Sequence, residues 1–347
     1  KGLSERIEAM GIKFGLWFEP EMTNKDSDLY RAHPDWILHT PGRNASHGRY
    51  QYVLDFSRKE VVEYIYEMMA KILSEAKVSY IKWDMNRSIT ECYSVALPAD
   101  RQGEVFHRYI LGVYDLYERL TSEFPEVLFE SCSSGGGRFD PGMLYYAPQG
   151  WTSDDSDAIE RLKIQYGTSL CYPISSMGSH VSVIPNHQVF RKTPLHTRAN
   201  VAYFGTFGYE LDLNSLKEEE IAEVKEQIIF MKKYRKLFQF GDFYRLKSPF
   251  EGNETIWMVV SEDKKTAIVG YYRTLNGVNQ AYSRIKLQGL DPDMLYENIL
   301  NKTENYGDEL MNFGLITTDV TAGEVPGDAT PCTDFESRIY ILKAKEK

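Results

Sequence analysis

Cysteine is scarce in this chain, and what there is follows no metal or redox spacing. The four cysteines are Cys92, Cys132, Cys171 and Cys332. None sits in a CxxC or HxxC arrangement, which argues against a zinc site or a disulfide framework and favours free thiols in a reducing, cytoplasmic setting. No run of Lys and Arg occurs, and the formal net charge is −10, which argues against nucleic acid and anionic membrane as partners. No apolar stretch approaches the ~20 residues of a membrane-spanning helix. The patterns GxxxxGK(S/T), GxSxG and HExxH are missing as well. Phosphate-loop, nucleophile-elbow and zinc-peptidase chemistry therefore have no support, and neither cofactor nor metal is expected. The chain opens on Lys1, so the missing leader sequence says little about export.

Aromatic residues, by contrast, are plentiful: 24 Tyr and 5 Trp in 347 residues. Such faces stack on sugar rings and equally fill ordinary cores. The length suits one barrel-sized unit plus a smaller one. Segments alternate in type. Helix-like stretches at 3–10 (with Ser4 as candidate cap), 59–76, 104–123, 156–169 and 218–238 are interleaved with strand-like stretches. These lie at 12–18, 51–56, 78–84, 126–131, 150–153, 171–178 and 200–208. In 59–76 the apolar positions Val61, Val62, Ile65, Met68, Met69, Ile72 and Leu73 recur at helical spacing. Strand–loop–helix repetition predicts a parallel sheet with crossover helices. A doubly wound sheet and a (β/α)8 barrel both fit. Polar residues at nearly every strand's C-terminal edge favour the barrel, whose strand ends converge on one mouth. These include Glu19, Glu21, Asp55, Asp84, Ser131, Cys132, Asp154 and His180. The tally of strands falls one short of eight, which predicts a barrel lacking its first strand, residues 1–239. From 240 to 347 short alternating segments separated by turns predict an antiparallel β-sandwich.

The stretch YIKWDMNR ends a buried strand in charge. Alternation puts Lys82 and Asp84 on one face and Trp83 on the other. An adjacent lysine would keep Asp84 ionised as a nucleophile, and a plain rim ion pair fits the same residues. In GWTSDDSDAIER, Asp155 and Asp157 suit helix capping, whereas Asp154 comes first after the strand. Beside the apolar wall of Trp151, Asp154 suits a general acid. In ESCSSGGGRFD the run Gly135-Gly136-Gly137 reads as a tight loop where backbone approaches a ligand. Trp17 in GLWFEPE is either a stacking platform or a strand–helix packing residue. His180, Asn186, His187, Arg191 and Arg198 read as hydrogen-bonding groups of one long loop. Two carboxylates on separate strands, tryptophans beside them, and no metal or phosphate pattern point to glycoside hydrolysis.

Taken together, GIKFGLWFEPEM, YIKWDMNR, ESCSSGGGRFD, QGWTSDDSDAIERLKIQYGTS and SSMGSHVSVIPNHQVFRKTPLHTRANVA resemble glycoside hydrolase family 36, the bacterial α-galactosidases, and YGDELMNFGL extends the resemblance C-terminally. The resemblance implies a retaining mechanism, with Asp84 as nucleophile and Asp154 as acid/base. It implies a galactose pocket of Trp17, Arg49, Lys82, Asn86, Cys132, Gly135 and Trp151. It further implies raffinose- or melibiose-type substrates and a homotetramer. The family's DDGWF-type strand end and its N-terminal β-sandwich are not found in the chain, which fits the missing strand. Galactosyl transfer, α-N-acetylgalactosamine hydrolysis and an inactive fragment remain as alternatives.

Overall fold

The computed structural model describes residues 1–278, 283–317 and 334–345, so Cys332 and Tyr282, which opens YSRIKLQG, one of the short alternating segments after residue 240, lie outside the described residues. The chain divides into two compact units, Lys1–Asp154 and Asp155–Lys347.

The first unit runs α1 (Gly2–Ala9), β1 (Gly15–Phe18), β2 (Met22–Asn24), α2 (Asp28–Ala32), β3 (Gln51–Val53), α3 (Lys59–Glu75), β4 (Tyr80–Asp84), α4 (Val105–Glu123), β5 (Leu128–Cys132), α5 (Pro141–Tyr146) and β6 (Gln149–Gly150). Strands β1, β4, β5 and β6 form one parallel sheet in that order, with helices as crossovers. Register aligns Trp17, Lys82, Glu130 and Gln149 across the four strands, and Phe18, Trp83, Ser131 and Gly150 in the row above. Side chains alternate between faces, so these rows point opposite ways. Trp83 is fully buried and stacks on Tyr117 of α4 with ring centroids 4.0 Å apart. The row containing Lys82 therefore faces away from the helix layer.

Helices α3 and α4 cover the Trp83 face because their apolar stripes match it. Val61, Val62, Ile65, Met69 and Leu73 of α3 are buried, as are Val105, Tyr109, Val113, Leu116, Tyr117 and Leu120 of α4. Each such side chain contributes about 1.5–3 kcal/mol. Met68 and Ile72, read above as part of the stripe, are exposed, so the buried face is narrower than the run of apolar residues suggests. Gly112 lets α4 approach the turn before α3: a Cβ there would lie 2.0 Å from the Phe56 carbonyl oxygen.

Two local expectations are corrected in this unit. Ser4 lies inside α1, where its hydroxyl donates to the Lys1 carbonyl, and does not cap the helix. The stretch 51–56 does not add to the parallel sheet. Its β3 portion pairs antiparallel with β2, Leu54 N–H donates to Glu21 and Asp55 N–H to Trp36. Those partners take up the backbone groups that a parallel ladder needs.

The second unit runs α6 (Ala158–Thr168), β7 (Gly178–Ser182), α7 (Leu195–Ala202), β8 (Thr206–Glu210), α8 (Glu218–Phe240), β9 (Asp242–Lys247), β10 (Glu254–Val260), β11 (Thr266–Arg273), β12 (Arg284–Ile285), β13 (Leu295–Asn298), β14 (Glu304–Tyr306), α9 (Gly307–Asn312), β15 (Leu315–Ile316) and β16 (Glu336–Ala344). Asp157 caps α6 by accepting from the Ile159 and Glu160 N–H groups, the capping role expected for it. β7 and β8 pair in parallel around α7.

The strand expected at 171–178 begins only at Gly178, because Pro173 opens a 3₁₀ turn over Ile174–Ser176. The strand expected at 200–208 is divided. Its first residues finish α7, a helix buried on most sides that starts after Pro194, and its last residues start β8. A helix so buried carries a continuous apolar run that reads like a strand.

C-terminally, six strands form an antiparallel sheet in the order β14-β13-β16-β11-β10-β9, and β12 pairs with β15. Ile256, Met258, Val269, Tyr271, Tyr340 and Leu342 from the large sheet share a core with Ile285, Leu287 and Leu315. Among the described residues the second layer is thus a two-stranded ribbon rather than a full sheet.

Candidate active site

The site is built at the C-terminal edge of the parallel sheet in the first unit. β4 leaves the sheet after Asp84, where Met85 N–H still donates to the Cys132 carbonyl at 3.0 Å and Ser133 Oγ donates to the Met85 carbonyl at 2.9 Å. This fixes Asp84 beside Cys132, its register partner on β5. Asp84 is buried at 6% exposure. Trp17 Nε1 donates to its Oδ2 at 3.2 Å. The Cys132 thiol lies beside it in register. Burial first, and then the neighbouring carboxylate, push that thiol up to about 12, so it stays protonated. Trp17 itself is 51% exposed, so it is not wedged between strand and helix, and its ring is free for stacking.

Lys82 lies on the face of Asp84, as alternation requires, yet its ion-pair partner is different from the one expected. Its Nζ stands 3.5 Å from Glu130 and 4.9 Å from the centre of the Trp151 ring. Glu130, buried two residues before Cys132 and so on the same face, also accepts from Tyr80 Oη and from Gln149 Nε2 at 2.9 Å. The charge of Lys82 is therefore anchored from below, while Asp84 takes its hydrogen bond from Trp17.

Asn86 and Arg49 meet on Glu19. Asn86 Nδ2 donates to Glu19 Oε1 at 2.6 Å and Arg49 Nη1 to the same oxygen at 3.2 Å, while Gln51 Nε2 donates to Oε2 at 2.8 Å. Arg49 and Tyr50 form the corner of a tight turn in which Gln51 N–H donates to the Gly48 carbonyl. Both corner residues have positive φ, 52° and 60°, a conformation usually left to Gly or Asn. Arg87 is structural: it donates to the Gln51 and Ser46 carbonyls and so holds the loop that carries Arg49.

The glycine run is a backbone-packing device. At Gly135, with φ +80°, a Cβ would lie 2.6 Å from Ser153 Cα and 2.7 Å from Asp154 N; at Gly136 it would lie 2.4 Å from the Thr152 carbonyl oxygen. The loop is thus laid directly on the segment that brings Asp154 out of β6. Asp154 is exposed at that edge, and Trp151 is buried. Beneath the loop, Arg138 makes a two-pronged ion pair with the fully buried Glu21 at 2.7 and 2.9 Å. Trp83 Nε1 and Tyr109 Oη also donate to Glu21. Burial alone would raise this carboxyl, but the charge of Arg138 and the three sets of donors outweigh it and hold it below its usual range.

Of the remaining sequence candidates, Asn186 Oδ1 accepts from the Gln188 and Val189 N–H groups, Arg191 pairs with Asp157, and Arg198 donates to the Ser182 carbonyl. They do not share one long loop: His180 lies on β7 and Arg198 on α7. Among the described residues no group of three His, Cys, Asp or Glu side chains is placed to hold a metal ion.

Comparison with known proteins decides the family. The Melibiase family model matches residues 1–241, and the glycosyl hydrolase family 36 C-terminal domain matches residues 254–342. The chain belongs to glycosyl hydrolase family 36. It is 56% identical over 348 aligned residues to the alpha-galactosidase AgaA of Geobacillus stearothermophilus, covering 100% of this chain and 46% of that protein. A crystal structure of an AgaA variant in complex with raffinose superposes with a TM-score of 0.93 at 52% identity, covering 99% of this chain and 46% of that one. The alpha-galactosidase structure from Lactobacillus brevis gives a TM-score of 0.95 at 50% identity, covering 100% and 46%. The fold is accordingly the family's TIM-type barrel architecture followed by its C-terminal antiparallel β domain. The chain spans just under half the length of these family 36 relatives.

Sequence reasoning had marked Glu19 and Glu21 only as polar strand ends and passed over Glu130 and Arg138. Two carboxylates within three residues at a strand end, WFEPE, were the available signal. Glu130 gave none, because a glutamate inside a short strand shows its partners only in register with its neighbours.

Proposed function

We propose that the protein is a retaining exo-α-galactosidase, with Asp84 as nucleophile, Asp154 as acid/base, and Trp17, Arg49, Lys82, Asn86, Cys132, Gly135 and Trp151 lining the galactose site. The observation that carries this reading is the environment of Asp84: a buried carboxylate at a parallel-strand end, hydrogen-bonded by Trp17 and paired in register with the buried Cys132, in a family whose relatives are α-galactosidases. In the first step an Asp84 oxygen bonds to the sugar's anomeric carbon as the bond to the leaving oxygen breaks. Asp154 gives that oxygen a proton. In the second step Asp154 takes a proton from water, whose oxygen bonds to the anomeric carbon and releases Asp84. Two inversions give net retention.

Terminal α-galactosides of the raffinose and melibiose type are the proposed substrates; a relative's complex with raffinose supports that class. A domain boundary near 239/240 is consistent with the ends of the two family matches at 241 and 254. A homotetramer and a cytoplasmic location complete the reading; Cys92, Cys132 and Cys171 are all free thiols.

The test is hydrolysis of para-nitrophenyl α-galactoside by the purified protein and by Asp84→Ala. The variant should lose at least about three orders of magnitude in rate, and azide should restore turnover with a β-galactosyl azide product. Parent-like turnover in Asp84→Ala would overturn the assignment.

A further inference from the structure

We propose that Glu19 is a positioning residue of this site, locking Asn86 and Arg49 into one fixed pair of hydroxyl-binding groups; the inference rests on the α-galactosidase reading above. Glu19 follows β1 and its side chain is only 9% exposed, so its charge must be met by protein donors. It meets three: Arg49 and Asn86 on Oε1, and Gln51 on Oε2.

The consequence for Asn86 is specific. Its Nδ2 is bound to Glu19 at 2.6 Å, and its Oδ1 accepts from Ser134 Oγ at 3.1 Å. An amide held at both ends cannot flip, so its second N–H and its remaining lone pair keep constant directions. Arg49 is in the opposite situation. It is 56% exposed, sits on a backbone of φ 52°, and has its ion-pair partner only in Glu19 among the pairs found for it. A long flexible side chain on a strained turn holds one direction only if something anchors it. Glu19 thereby ties β1, the 48–51 turn, the end of β4 and the glycine loop through Ser134, all of them segments that carry proposed sugar-binding groups.

Glutamine at this position keeps the shape but turns one acceptor oxygen into a donor facing Asn86, Arg49 or Gln51. The experiment measures kcat and KM for para-nitrophenyl α-galactoside on the parent, Glu19→Gln, Asn86→Ala and the double variant, with thermal unfolding of each. Glu19→Gln should raise KM by about tenfold or more, the size of one lost charged hydrogen bond, and change kcat less. In the Asn86→Ala background Glu19→Gln should cost clearly less than it does in the parent, because the share of its effect that passes through that amide is already lost and only the Arg49 share remains. Independent, multiplying losses in kcat/KM, or a Glu19→Gln enzyme with the parent KM, would overturn the proposal while leaving the α-galactosidase reading intact. A parent protein with neither turnover nor calorimetric galactose binding would instead overturn that underlying reading.

Discussion

Replacing Gly135 by alanine should damage activity far more than stability alone accounts for. The residue has φ +80°, and an added Cβ would lie 2.6 Å from Ser153 Cα and 2.7 Å from Asp154 N. Both are backbone atoms, so no side chain can swing away. Reaching ordinary contact near 3.4 Å requires a displacement of about 0.8 Å in the loop, in the Asp154 segment, or shared between them. The left-handed backbone costs alanine about 1–2 kcal/mol, and the forced repacking adds about 1–3 kcal/mol. Gly42→Ala is the matched control, with φ +78° and nothing within 4 Å, so it carries only the backbone penalty. A misplacement approaching 1 Å of a catalytic group lowers the rate by about a hundredfold. The assay is kcat/KM on para-nitrophenyl α-galactoside with urea unfolding of both variants. If Gly135→Ala matches Gly42→Ala in stability and keeps kcat within about twofold of the parent, the glycine loop does not position Asp154, and the reasoning fails.

Asp154→Asn should cost raffinose hydrolysis at least about a hundredfold more than hydrolysis of a substrate with an activated aryl leaving group, which needs no proton; equal losses would remove the acid role. Arg138→Met should destabilise the fold by about 3–5 kcal/mol near neutral pH, because it strands the buried charge of Glu21. In the parent, Glu21 is held below its usual 4.5, so its stabilisation is present above that value and is lost as pH falls through the lower folded value. In Arg138→Met the charge and hydrogen bonds of Arg138 are gone and burial is opposed only by the Trp83 and Tyr109 donors, so the Glu21 pKa rises and the deficit against the parent should shrink on acidification; urea midpoints from about pH 7 to pH 5 check the sign. Iodoacetamide near pH 8 should label the exposed Cys171 and spare Cys132, whose thiol holds its proton up to about 12, as read by mass spectrometry of the peptides. Exchanging Arg49-Tyr50 for Asn-Gly should stabilise the turn by up to about 1–2 kcal/mol while weakening galactose binding, since residues suited to φ values of 52° and 60° replace strained ones.

Several readings of the site passed intact from sequence to structure because they rest on local rules. Alternation along YIKWD was enough to set Lys82 with Asp84 and Trp83 opposite, and Trp83 does stack on α4. The capping role of Asp157 followed from its place before a helical run. Partnership was harder. Adjacent charges at 82 and 84 suggested a mutual pair, but strand register brings Glu130 beneath Lys82 and Cys132 beside Asp84. The stretch 200–208 read as a strand because a mostly buried helix and a strand share the same lack of periodicity, and 171–178 because its apolar residues hide the 3₁₀ turn that Pro173 opens.

What the sequence alone determined is the alternation of strands and helices around the long amphipathic helices, the strand ends where charge collects, and the family, whose motifs are contiguous and legible one residue after another. Only the tertiary structure decided which charges answer one another: Glu19 with Arg49 and Asn86, Glu21 with Arg138, Glu130 with Lys82. Those pairs join residues separated by 30 to 117 positions. Hydrogen bonds and ion pairs act over a few ångströms in space and are indifferent to distance along the chain, so they become readable only once register and loop packing are set.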